Sequence, residues 1–415
     1  MPRSPARLGH RRVVVTGLGL RSPIGDDYDA VRDALREGRH GIVPVEHWRE
    51  WGVRTGLGAV VDDPPLDGFA RKQVRAMGKV ARLATAATAA AIADAGLGDD
   101  LVRGPRTALF YGSTDGSTGA AEEYYRKLYT QRNFEGLLSS SYLRFMSHTC
   151  AANLAQVFGI SGRVLPICSA CTSASQAIGE AYHGIAGGRE DIAICGGAEE
   201  LHVTVAGVFD LMLAASTRYN DAPDRTPRPF DRDRDGMVVG EGAGTLVLEE
   251  YEHARARGAR ILAELVGYGS NCDGAHLTSP SPGGMAGAMR LALENAGLDR
   301  SDIDYVNAHA TGTEVGDIAE SLATAEAIGT DVPVSSTKGH TGHTLGGCGA
   351  IESVFAIAML REGFVAPTRN LQEVDPRCAT LDYVRGACRE VALRHVMNNN
   401  FAFGGINTSL VFARI

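Results

Sequence analysis

The chain has 415 residues, a net charge of -8, 44% hydrophobic and 22% charged residues, and 51 glycines, the profile of a soluble globular chain with many tight turns. That charge, with an isoelectric point near 5.9, argues against a general nucleic-acid binder. No apolar run reaches the roughly 18 residues needed to cross a bilayer, so no membrane association is expected.

Residues 1–12 are basic and Pro-containing, and Val13-Val14-Val15 is too short for a signal-peptide core. This reads as a loose leader on a cytoplasmic protein. Residues 12–18 form a β-branched strand ending in Gly17-Leu18-Gly19, expected as a compact turn. A helix over 27–37 follows, then an Ala-rich helix over 80–95 that stops at Gly96. Strands over 107–112 and 163–167, a helix over 172–185, and a short strand over 192–195 ending at Gly196-Gly197 come next. A strand over 240–249 and a charged helix over 250–257 lead to Gly258. Beyond it, strands over 261–266, 303–308 and 332–335 alternate with helices over 285–296, 318–328 and 349–361, and 400–411 supplies closing strands. The alternation predicts α/β layers in two parts, 1–257 and 258–415.

Eight cysteines lack a disulfide-framework spacing, so reduced thiols are expected. Cys168 and Cys171 form a CxxC, but a zinc site needs about four ligands, and no second CxxC or HxxxH is present. No metal is expected. Cys171, in Ser169-Ala170-Cys171-Thr172-Ser173-Ala174, falls between a strand and a helix. A helix N-terminus favours thiolate over thiol, and the small neighbours admit a substrate. A buried structural thiol is the commoner fate of one cysteine. The histidines downstream distinguish this one: His309 in Asn307-Ala308-His309-Ala310-Thr311-Gly312-Thr313, and His343 in Lys338-Gly339-His340-Thr341-Gly342-His343. A thiol attacks and then leaves an acyl carbon well, and imidazoles donate hydrogen bonds or move protons near neutral pH. Together they suit carbon–carbon bond formation through a thioester.

These segments resemble the β-ketoacyl-acyl-carrier-protein synthases. So do Cys195-Gly196-Gly197-Ala198-Glu199-Glu200-Leu201, Pro229-Phe230-Asp231-Arg232-Asp233-Arg234-Asp235-Gly236, and Asn400-Phe401-Ala402-Phe403-Gly404-Gly405-Ile406-Asn407. The matches run in family order from about residue 12 to the C-terminus. The resemblance implies the thiolase fold, two duplicated halves in a five-layered αβαβα sandwich, working as a dimer. It implies that Cys171 receives the acyl chain, while His309 and His343 hold the malonyl thioester and promote loss of CO₂. The backbone N–H groups of Cys171 and Phe403 would form the oxyanion hole, with Gly404 and Gly405 letting Phe403 gate the pocket. Lys338 would pair with Glu352, with Asp317 and Glu320 joining that network; exposed helix faces are the plain alternative for these acids. Thr311 and Thr313 would bind the phosphopantetheine arm of acyl carrier protein, with no bound cofactor, and His276 either supports the site or is a surface histidine.

Arg71, Lys72, Arg75, Lys79 and Arg82 put five positive charges in twelve residues with no negative one. At helical spacing, Arg71, Arg75, Lys79 and Arg82 would share a face that docks the acidic carrier, or simply meet solvent.

The match departs at Ala310, Gly312 and His340, and residues 111–118 (Tyr-Gly-Ser-Thr-Asp-Gly-Ser-Thr) are unusually polar for a segment that lines the acyl pocket in fatty-acid enzymes. That look is closer to ketosynthases of polyene-type, highly reducing type II polyketide systems, which pair with a chain-length-factor subunit. A homodimer or such a heterodimer both fit. Rivals are a housekeeping fatty-acid condensing enzyme, a non-catalytic chain-length-factor-like subunit, a coenzyme A-dependent thiolase and a Cys–His hydrolase. The intact Cys171, His309, His343 and Lys338 speak against the non-catalytic reading.

Overall fold

The computed structural model describes residues 11–415, so residues 1–10 of the expected leader lie outside the described residues. Arg11 and Arg12 are tied down, each 2.6 Å from a carboxylate, Asp191 and Glu264 respectively.

Up to residue 250 the principal elements are β1 (Val13–Arg21), α1 (Tyr28–Glu37), α2 (Lys79–Asp94), β2 (Thr107–Gly112), α3 (Thr118–Gln131), α4 (Ser139–Leu143), β3 (Val164–Ile167), α5 (Ser173–Ala186), β4 (Ile192–Glu199), α6 (Val203–Leu211) and β5 (Gly242–Glu250). Then come β6 (Ala263–Cys272), α7 (Pro282–Ala296), β7 (Tyr305–Asn307), α8 (Glu314–Ala327), β8 (Pro333–Ser335), α9 (Cys348–Glu362), β9 (Asp382–Tyr383), β10 (His395–Ala402) and β11 (Ile406–Ala413). Local chemistry sets many ends. Asp27 caps α1 by accepting the Ala30 N–H at 2.8 Å, and Gly38 ends it in the left-handed conformation.

These strands join one sheet in the order β9-β8-β7-β10-β11-β6-β1-β5-β4-β2-β3. Its pairing repeats. Outward from β1, the pairings with β5 and then β4 are antiparallel, and those to β2 and β3 are parallel. Outward from β6, the steps to β11 and β10 are antiparallel and those to β7 and β8 parallel. The two sets meet where β1 pairs with β6 between Val13–Leu265 and Val15–Ala263.

Helix α2 packs on β1 and β5, α7 on β6 and β11, and α8 on α7, while α5 and α9 pack on each other between the two sets. This gives the expected helix–sheet–helix–sheet–helix layering. A helix in the middle layer has no solvent face. Accordingly, every residue of α9 from Cys348 to Leu360 is buried.

One expected turn and one expected strand end are strand interior instead. Gly17 and Gly19 lie within β1, against α2. A Cβ on Gly17 would sit 2.3 Å from the Ala91 carbonyl oxygen, and one on Gly19 2.0 Å from that of Ala87. These glycines serve close helix–sheet approach, not a bend. Likewise β4 runs through Gly196-Gly197 to Glu199, because the partner strand β5 presses against it. Helices α3 and α4, with no counterpart among the expected elements, carry Tyr124, Tyr125 and Tyr142, whose rings meet each other and that of Phe145 just past α4.

Candidate active site

Cys171 sits on the bend between β3 and α5. Ala170, just before it, holds a left-handed φ of 49°, which costs a residue with a Cβ on the order of 1 kcal/mol and marks a constrained backbone. The sulfur lines a cavity of about 370 Å³ that also takes in His309 and His343. One ligand-type atom from each of the three lies within 4.8 Å of the other two. His343 Nε2 is 2.9 Å from Cys171 Sγ, and the two imidazoles meet edge to face with ring centres 5.0 Å apart.

The expectation of a helix-stabilised thiolate is not met. Cys171 lies before the helix cap, Thr172, and burial pushes its thiol up to about 12. Lys338 and the backbone N–H groups of Cys171 and Phe403 pull the other way and lose. Burial thus favours the protonated form of the resting sulfur. Both histidines are held well below the ordinary imidazole range, by burial first and by Lys338 as well, so they are neutral.

Lys338 stands behind the histidines, not in the cavity. Its Nζ pairs with Glu352 Oε1, both side chains being buried. Glu352 Oε2 accepts from Asn400 Nδ2 at 2.7 Å. The other two acids do separate jobs. Glu320 accepts the backbone N–H groups of His309 (2.8 Å) and Ala310 (2.7 Å), bracing the histidine loop, and burial raises it to about 8. Asp317 accepts from the N–H groups of Phe230 (2.7 Å) and Gly312 (3.1 Å) beside Arg234, and burial raises it to about 6. The expected single network thus divides: Asp317 fastens the central segment, Glu320 the His309 turn, and Glu352 holds Lys338.

Thr311 and Thr313 both line the cavity, their hydroxyls 3.1 Å apart. Phe403 lines it too, packed on Phe209 with ring centres 5.6 Å apart. Gly404 and Gly405, at φ 88° and 73°, hold a left-handed pair beside it that residues with a Cβ rarely adopt. His276 is exposed at the rim, where its Nδ1 accepts from the N–H groups of Thr278 (3.1 Å) and Ser279 (3.0 Å) and shapes its own loop. Cys168 is exposed and unpaired with Cys171; all eight cysteines are free.

The expected basic face is broken. A short helix, Arg71–Val74, ends before α2 starts at Lys79, so the residues between them take the stripe off one axis. Lys79 turns inward to Glu241 at 2.7 Å and Arg82 to Asp63 at 2.7 Å. Arg71, Lys72 and Arg75 remain exposed.

Three contributors were given no role in the sequence reading, although Glu199 and Asn400 lie in segments that carry the resemblance. Asn400 Nδ2 also approaches His309 Nδ1 at 3.4 Å, the Cys348 thiol lies 3.2 Å from the Cys171 carbonyl oxygen, and buried Glu199 accepts from Ser113 Oγ at 2.9 Å and the Thr114 N–H at 2.6 Å. Each joins residues far apart in the chain: the packing of β10 on α9 brings Asn400 to Glu352, α9 brings Cys348 to the Cys171 bend, and the parallel pairing of β2 with β4 brings Ser113 and Thr114 to Glu199.

The model of the beta-ketoacyl synthase N-terminal domain matches residues 10–254, and that of the C-terminal domain residues 262–372. The chain is 39% identical over 407 residues to 3-oxoacyl-[acyl-carrier-protein] synthase 1 of Escherichia coli K12, covering 98% of this chain and 99% of that one. A solved beta-ketoacyl synthase from Burkholderia phymatum STM815 superposes with a TM-score of 0.94 at 48% identity, over 98% of this chain and 100% of the other. The solved ishigamide ketosynthase/chain length factor gives 0.92 at 32% identity over the same shares. No helix among the described residues is long and apolar enough to cross a membrane.

Proposed function

This chain belongs to the β-ketoacyl synthase family, a thiolase-fold acyltransferase, and from that premise we propose how its residues divide the reaction and which pathway it serves. The observation that carries the reading is the convergence of Cys171 Sγ with a nitrogen each of His309 and His343 in one cavity. Cys171 attacks the thioester carbonyl of an acyl chain borne on the phosphopantetheine arm of acyl carrier protein. His343 Nε2, 2.9 Å away, takes the thiol proton and passes it to the departing carrier sulfur. The backbone N–H groups of Cys171 and Phe403 stabilise the tetrahedral oxyanion. Malonyl-carrier then enters past Thr311 and Thr313, with Phe403 gating on Gly404 and Gly405. His309, and His343 once its proton has moved from Nδ1 to Nε2, donate N–H groups to its thioester oxygen while CO₂ leaves, and the enolate carbon attacks acyl-Cys171. The carbon–sulfur bond breaks, β-ketoacyl-carrier departs, and the released Cys171 thiolate takes up one proton from solvent by way of His343, which restores the thiol. No bound cofactor takes part in this scheme. Lys338 with Glu352, and Glu320 through the His309 backbone, hold the histidines; Asp317 anchors the loop and His276 the rim.

Residues 1–257 and 258–415 are the duplicated halves, a division supported by the repeated strand pairing. Arg71, Lys72 and Arg75 dock the carrier. The partner subunit, a second copy or a chain-length-factor-like ketosynthase, continues the sheet at β3. Among the described residues that terminal strand pairs only with β2, and it alternates exposed and half-buried residues. The setting is cytoplasmic.

The pathway is type II polyketide synthesis of a polyene. Support comes from the likeness to the ishigamide ketosynthase/chain length factor and from the polar run 111–118, in which the Ser113 hydroxyl and the backbone N–H groups of Thr114 and Asp115 donate to Glu199. Incubation with acyl- and malonyl-carrier, a radiolabel on the acyl group and mass spectrometry of carrier-bound products tests both levels. Label on Cys171 and conjugated products with the polyketide partners support the reading. Saturated products with the same partners would give the pathway to fatty-acid synthesis, and absence of label on Cys171 would overturn the mechanism.

A further inference from the structure

Neutral imidazole offers one N–H, so a histidine that must donate into a cavity works only in one of its two tautomers. The second nitrogen decides which. For His309 that nitrogen is Nδ1, and its neighbour is Asn400 Nδ2 at 3.4 Å. The orientation of the Asn400 amide is set by charge. Glu352, with Lys338 Nζ on Oε1, is a carboxylate that accepts at both oxygens, and Asn400 Nδ2 donates to its Oε2 at 2.7 Å. Turning the amide over would press Oδ1 against that carboxylate. In the observed orientation Oδ1 receives the Ser175 hydroxyl instead. One Nδ2 hydrogen therefore goes to Glu352, and the other faces His309 Nδ1 at 3.4 Å with the Cys348 sulfur, a weaker acceptor, beside it at 3.5 Å. A nitrogen facing a donor must accept. The proton of His309 is then on Nε2, the nitrogen left for the cavity that the ring lines.

We propose that Asn400 is a positioning residue that fixes His309 as its Nε2–H tautomer, so that this imidazole enters every turnover already set as a donor. The chain Lys338–Glu352–Asn400–His309 transmits the orientation, and Ser175 on α5 locks its far side. His343 is arranged differently. Its Nε2 faces the thiol, and its Nδ1 is buried with no hydrogen-bond partner among the described residues. No side chain plays the part of Asn400 there, which suits a nitrogen that accepts in one half-reaction and donates in the other. The inference rests on the acyl-transfer reading above for its consequence, although the tautomer itself does not.

The test is nitrogen-15 NMR of histidine-labelled protein, with His309 assigned by its loss in His309→Gln, alongside malonyl-carrier decarboxylation and acyl loading of Cys171. The expected wild-type spectrum has His309 protonated on Nε2. Asn400→Leu, close in shape but without a donor, should mix the tautomers. It should lower decarboxylation about tenfold or more, in line with the loss of one preorganised donor, while acyl loading stays within about threefold. Proton on Nδ1 in the wild type would overturn the proposal without any variant, and so would an unchanged tautomer in Asn400→Leu. A mixed tautomer with undiminished decarboxylation would uphold the role of Asn400 and reject the role given to His309 in catalysis.

Discussion

Replacing Lys338 with Met isolates the work of the buried ammonium. The side chain is 0% exposed and its partner Glu352 2%. Met keeps most of the apolar stem but leaves the Glu352 carboxylate with Asn400 Nδ2 as its remaining donor. Removing one member of a buried ion pair costs about 3–5 kcal/mol, because the survivor keeps its desolvation penalty. Unfolding entropy of about 2.1 cal/mol/K per residue, over 415 residues, gives about 0.9 kcal/mol/K, so Tm should fall by about 3–6 °C. Lys338→Met combined with Glu352→Gln removes both charges and should recover most of the loss. Calorimetry and urea unfolding measure each arm of that cycle. The same ammonium helps keep both imidazoles neutral, after burial. Without it their pKa values rise, and the acid limb of Cys171 acylation, which needs unprotonated His343, moves to higher pH. A double variant as unstable as the two singles summed would refute the reasoning about the stranded charge.

Two further outcomes are expected. Since burial raises the Cys171 thiol to about 12, thiolate grows about tenfold per pH unit below that value. Its alkylation by iodoacetamide, followed by peptide mass spectrometry, should therefore climb from pH 7 to pH 10 without a plateau; a plateau near pH 7 would mean a resting thiolate. Reversing Arg71, Lys72 and Arg75 to Glu should raise the apparent KM for carrier-borne substrate about tenfold and spare small thioesters, an effect that shrinks with salt. Equal changes for both substrate kinds would remove carrier docking from that surface.

The alternation of strand and helix was legible because these elements bury whole faces, and the pattern of apolar residues follows burial. Helix α9, buried nearly all round, was found from its apolar length alone. Cys171, His309 and His343 stood out because their flanking glycines and small residues are local. Less was legible where function depends on distance. Gly17 and Gly19 look like a turn in sequence, yet it is the Ala-rich face of α2, some seventy residues on, that requires them. The basic stripe was sound in spacing but failed at Ala76-Met77-Gly78, where the helix breaks and Lys79 finds Glu241. Glu320 and Asp317 share one helix face, but their partners are backbone N–H groups that no side-chain pattern records.

A sulfur that stays protonated until its substrate arrives is protected while it waits. Peroxide and stray electrophiles react with thiolate far faster than with thiol, so an idle active site of this kind ages slowly. Burial delays the first step of each cycle and, in exchange, preserves the atom on which all later cycles depend.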